Sequence, residues 1–187
     1  MSPDETLAKS LSHFRAIQWC AEQLDDPRIE IIQPPGRPTD KLVEEKVWTK
    51  TLNTPETLSA FVAFYHKPAE ADEPVDKVSA FVTANHGIDG WPGMMQGGII
   101  ATLMDGMAGL ILGVNQELGL FPRKRFVTAF LNTTYMQAVS TPSTIMITAH
   151  MVKTEGRKVH VEVIIQNHRG SGLAKGEALF IETKANL

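Results

Sequence analysis

Cysteine is almost absent: Cys20 is the only one in 187 residues. A single thiol excludes internal disulfides and makes a reducing compartment the default. Excess positive charge is missing as well. Eighteen Lys and Arg against 21 Asp and Glu leave a net charge of −3, without the basic footprint that grips a polyanion, so nucleic acid is not an expected partner. The six histidines show no ligand spacing, and neither H-x-x-x-H nor C-x-x-C occurs, so no metal is expected. The first residues, MSPDETLAKSLSHFRAIQ, carry Asp4 and Glu5 and lack an apolar core segment, which argues against a secretory leader. The expected location is cytoplasmic, with a mitochondrial address left open. Long apolar runs are missing except for Gly97 to Val114. That run is short for a membrane span, has Asp105 mid-way and holds five glycines, so no span is expected.

What is present reads as one domain with an extension. From Thr6 to Leu24 the apolar residues Leu7, Leu11, Phe14, Ile17, Ala21 and Leu24 have helical spacing, and Asp25-Asp26-Pro27 ends the run. IIQPPGRPTDK is turn or linker punctuation. The main domain is expected over 58–187, with 1–57 as an extension of helix plus Pro-rich linker. LSAFVAFY and VSAFVTAN read as strands around an acidic loop. The apolar run from Gly97 reads as a helix, buried on most sides because it is apolar all round. After it come four strand patterns: FVTAFLNTTYM, STIMITAHMVK, KVHVEVIIQN and GLAKGEALFIET. In the third, Val159, Val161, Val163 and Ile165 face one way, and Glu155-Gly156 and Arg169-Gly170 mark hairpin turns. The pattern is α+β: an antiparallel meander wrapped around one apolar helix.

Asp105 is the one charge between Asp89 and Glu117. A lone carboxylate in an apolar segment pairs, protonates or faces a cavity. No cation lies within helical reach, so the residue is either a nucleophile or general base, or a carboxyl that binds nearby backbone. Gly97-Gly98 stands where the helix begins. Unpaired N–H groups and the positive end of the dipole make such a start a place for a developing oxyanion, with simple turn chemistry as the alternative. Eight residues of helix separate Gly97 from Asp105, a rise of about 12 Å. If both act on one carbonyl, they come from two antiparallel copies of the helix, and a two-fold homodimer supplies them.

The stretch GMMQGGIIATLMDGMAG resembles the His-Gly-Gly…Asp motif of hotdog-fold acyl-CoA thioesterases of the PaaI type, and FVTAFLNTTYMQAV resembles that family's strand after the central helix. The resemblance runs from Leu58 to about Thr183. It implies a single hotdog domain, acyl-CoA as substrate, no cofactor, and a homo-oligomer, a dimer or a tetramer. By position it makes Gly97 the oxyanion-hole donor, Asp105 the nucleophile or general base and Thr128 the hydroxyl that positions the acid or a water. Gln96 replaces the family's histidine and can donate a hydrogen bond but cannot titrate near neutrality. Gly90 stands where the family often has asparagine, with Asn85, His86 or Asp89 as stand-ins. Gly98 is expected next to the substrate, and Met95 either there, lining an acyl pocket, or in the core. Arg125, Arg157, Lys158 and Arg169, all in or before turns, are candidates for the CoA phosphates, with solvated loop charge as the alternative for each.

Two other classes compete. Hydratases and dehydratases of this fold need a histidine close to the acid on the central helix, and none lies between His86 and His150. A non-catalytic acyl-thioester binder is the remaining alternative, favoured by the missing histidine at 96.

Overall fold

The computed structural model describes residues 3–32, 45–70 and 72–183. One seven-stranded antiparallel sheet is built from β1 (Ile29–Ile32), β2 (Leu58–His66), β3 (Lys77–Ala84), β6 (Phe126–Tyr135), β7 (Ser143–Glu155), β8 (Lys158–Gln166) and β9 (Gly172–Glu182). A small hairpin, β4 (Asp89–Trp91) with β5 (Met94–Met95), leads into the long helix α3 (Gly97–Glu117). Two helices, α1 (Pro3–Arg15) and α2 (Gln18–Leu24), precede the sheet. Most of the Pro-rich linker expected after Ile32 lies outside the described residues.

The sheet order is β1-β2-β3-β7-β8-β9-β6. The last four strands therefore do not form a simple meander. After α3 the chain enters β6 at the far edge, beside β9, and β7 returns to the middle between β3 and β8. The physical reason is α3 itself, which lies across one face and carries the chain from one side of the sheet to the other. Alternation holds in β8: Val159, Val161, Val163 and Ile165 are buried toward α3 while His160, Glu162 and Gln166 lie between them at intermediate exposure. Gly156 and Gly170 take positive φ in the two hairpins, as glycine allows there.

The helix is not buried on most sides. Ile100, Leu103, Met104, Met107, Ala108, Ile111 and Leu112 pack into the sheet, but Gly98 and Asp105 are exposed and the remaining flank is only half-covered. One sheet face can cover only about half the circumference of a helix, whatever the helix composition. The buried half identifies α3 as a core helix.

The other sheet face carries the extension. The expected single helix is two, broken at Ala16–Ile17. Six residues of helix turn about 600°, which would leave Phe14 and Cys20 on different faces. The break lets Phe14, Cys20 and Leu24 all pack against Ala60, Val62, Phe64 and Phe81. Burial pushes the Cys20 thiol up to about 12, so it is an inert core group. The extension also supplies β1, which pairs with β2 through Ile29↔His66 to Ile32↔Ala63. Phe14→Ala empties a fully buried site in this second core. The expected cost is about 3–5 kcal/mol, a fall in Tm on the order of 10 °C by scanning calorimetry. An unchanged Tm would mean that the extension is not docked.

A second contact ties residues 45–51 to α3. The indole of Trp48 lies edge-on to Phe61, ring centroids 6.2 Å apart, and presses on Gly106. A Cβ at 106 would stand 2.3 Å from Trp48 Cζ2, so only glycine fits. Gly106→Ala should displace the indole, cost about 1–3 kcal/mol, and change the intrinsic fluorescence. Fluorescence and Tm both at wild-type values would refute the contact.

Candidate active site

Gln96 is the N-cap of α3. Its Oε1 accepts the Ile99 N–H at 3.0 Å, and its carbonyl accepts the Ile99 and Ile100 N–H groups. Capping consumes the oxygen of the Gln96 amide and leaves Nε2 as a donor without a protein partner among the described residues. No acceptor is found there for the Gly97 or Gly98 N–H either. Three donors therefore collect at the positive end of a 21-residue helix, the place where an anionic oxygen is best stabilised. A Cβ at Gly90 would come within 2.9 Å of Gln96 Cα, so a side chain there would push on the cap.

The loop that presents Gln96 is fastened by Asp89. Its carboxylate accepts hydrogen bonds from the Thr141 hydroxyl, from Gly93 N–H at 2.9 Å and from the His86 ring at 3.1 Å. The Thr141 bond is the leading cause that holds the carboxyl below the usual carboxylate range, joined by Gly93 and His86. Asp89 is thereby a charged tether for the loop, and Asn85 is spent on Pro55 O and Ser59 Oγ.

Asp105 lies on the flank of α3 that faces β6. Thr128 Oγ1 donates to Asp105 Oδ1 at 2.9 Å, leaving Oδ2 open to solvent. Further along the same strand, the Tyr135 hydroxyl donates to the Gly97 carbonyl at 2.9 Å. Thr128 and Tyr135 are seven residues apart, an odd number, and strict alternation would put them on opposite faces. A bulge between Thr128 and Phe130 shifts the register against β9 by one residue and turns both toward α3. Tyr135 is the site residue that sequence pattern missed, and this bulge hid it.

The remaining expected residues divide. Gly98 is exposed beside Gln96. Met95 is buried in the main core and does not line an open site. Arg125, Arg157 and Lys158 cluster where β6 and β8 begin, with Arg157 Nη1 donating to the Glu182 carbonyl at 3.1 Å. Arg169 sits in the β8–β9 hairpin at the opposite end, next to His168. The length of β8 separates the two groups by roughly 30 Å, so one chain cannot use both on one phosphate. Among the described residues no cluster of His, Cys, Asp and Glu is placed to hold a metal.

The edge of the sheet is bare beside this flank. β6 is the terminal strand, ten residues long, and Val127, Phe130 and Tyr135 are exposed on it. Within one chain Gly97 and Asp105 remain about 12 Å apart along the helix.

Residues 92–173 match the family model described as the thioesterase superfamily. Two curated relatives are similar at low identity. Verlamelin biosynthesis protein B of Lecanicillium sp is 22% identical over 73% of this chain and 71% of its own length. Acyl-coenzyme A thioesterase THEM4 of Rattus norvegicus is 32% identical over 51% of this chain and 38% of its own length, so the chain spans well under half of that relative. Among solved structures, a hypothetical thioesterase protein with coenzyme A from Streptococcus pneumoniae TIGR4 shares the fold. Its TM-score is 0.51 at 21% identity, over 58% of this chain and 79% of that one.

Proposed function

For a chain whose residues 92–173 match the thioesterase superfamily model, we propose that the activity is hydrolysis of an acyl-CoA to free acid and CoA. The observation that carries the reading is the pairing of two half-sites on one flank of α3. The Gly97 and Gly98 N–H groups have no acceptor among the described residues, and an acid at Asp105 is oriented by Thr128. In the first half-site the thioester carbonyl accepts the Gly97 N–H, with Gln96 Nε2 as a further donor, and charge on that oxygen is stabilised as it grows. In the second, Asp105 Oδ2 takes the proton of an attacking water, or attacks the carbonyl itself to form an anhydride that water then hydrolyses to the free acid, while Thr128 fixes Oδ1. The tetrahedral intermediate then expels CoA as thiolate, a good leaving group that needs no strong acid, which suits a site with Gln at 96.

The two halves meet when a second copy pairs along the open edge of β6. A long apolar edge strand invites such pairing, and the two-fold axis sets Gly97 of one protomer near Asp105 of its partner. The same antiparallel pairing carries the Arg125 end of one protomer toward the Arg169 end of the other, so the basic groups that one chain keeps apart converge on the shared site. That convergence provides charge for the phosphates of CoA, the ligand in the Streptococcus pneumoniae structure.

Thiol release, followed with a thiol-reactive dye across short, medium, long and aryl acyl-CoAs, tests the reading. Hydrolysis of at least one class is expected. CoA binding without release of thiol from any class would favour the acyl-thioester binder, the alternative that Gln96 brings forward.

A further inference from the structure

Tyr135 reaches Gly97 in two ways. Its hydroxyl donates to the Gly97 carbonyl at 2.9 Å, and its Oη, Cζ and Cε1 lie 3.3–3.5 Å from where a Cβ at 97 would stand. The carbonyl that accepts this bond belongs to the peptide unit whose N–H is that of Gly98. A hydrogen bond to an amide oxygen fixes the plane of the amide and strengthens the donor on its nitrogen, since linked hydrogen bonds polarise one another. The phenol therefore acts on the Gly98 N–H from behind, through one peptide group. Core filling does not account for the residue, because Tyr135 is 54% exposed.

Resting on the hydrolase reading, we infer that Tyr135 is a positioning residue that holds the Gly97–Gly98 peptide so that the Gly98 N–H serves as a second oxyanion donor beside that of Gly97. An oxyanion has more than one lone pair to satisfy, and two adjacent backbone donors at a helix start can both point at it. Tyr135 acts through that peptide group, and no proton leaves it.

Tyr135→Phe keeps the ring and removes the hydroxyl. The expected result is a kcat lower by roughly 3- to 10-fold, the scale of one hydrogen bond, with KM and Tm unchanged. In the same variant the Gly98 amide proton should move upfield in a 15N-resolved spectrum of the full chain. A Gly98 amide that stays in place, or an unchanged kcat in an active enzyme, overturns the inference. A lower Tm with kcat intact overturns it too, since it would mark a merely structural tyrosine. A Gly98 amide that moves in a protein hydrolysing no acyl-CoA would support the hold on the peptide and sink the hydrolase reading alone.

Discussion

Asp105→Asn should fold, keep the oligomeric state of the wild type and lose turnover by on the order of 100-fold or more, the scale of a missing base or nucleophile. Folding should survive because the carboxylate is exposed on α3 and its one bond among the described residues comes from Thr128, to which an asparagine oxygen can offer the same acceptor. What the substitution removes is the negative charge and the lone pair at Oδ2. KM should change far less than kcat, since in the proposed mechanism the acid takes part in the reaction and not in holding CoA. Comparison of steady-state constants with melting curves for wild type and variant checks this. A folded Asp105→Asn with near-wild-type kcat would mean that the acid only anchors Thr128.

Gly97→Pro should be at least as damaging to catalysis and almost silent in stability. Proline is well suited to the first position of a helix, where no N–H is needed by the helix. Gln96 already has φ −66° and ψ 135°, the region that a residue before proline prefers. The ring therefore deletes one donor while leaving the helix start intact, at the cost of a small adjustment against Tyr135 Oη, 3.3 Å from the Cβ position. Loss of one oxyanion donor is expected to lower kcat by about 100- to 1,000-fold. A Gly97→Pro enzyme of ordinary activity would place the oxyanion elsewhere.

Much of this site could be read from the chain itself. An acid alone in an apolar segment and a glycine pair at its start stand on one helix as expected, and if both act on one carbonyl, the fixed helical rise between them calls for two copies of the helix. The Val159–Ile165 alternation located the face that the helix covers. What pattern did not give was non-local. The crossover of β6 to the far edge depends on how α3 lies across the sheet, which no periodicity records. Tyr135 was hidden by a one-residue bulge at Thr128–Phe130, because a slip in register exchanges the faces of everything beyond it. Met95 and its neighbour Met94 are indistinguishable in sequence, yet the first is buried and the second exposed, since the short β4–β5 hairpin turns one inward. The contribution of the extension was legible as a sticky helical face, but its second helix and its edge strand were not. Both are fixed by contacts to β2 and β3 more than thirty residues away.

The central claim, a hydrolytic site whose donor and acid come from different protomers, is tested most directly by mixing Asp105→Asn with Gly97→Pro. Each variant alone should be nearly inactive. After subunits exchange, half of the dimers are mixed, and each mixed dimer has one site with both Gly97 and Asp105 intact and one with neither. Thiol release from the preferred acyl-CoA should then recover to about a quarter of the wild-type rate per protomer. If the mixture has exchanged subunits and stays as inactive as its components, donor and acid act within one chain or not at all, and the shared site is wrong.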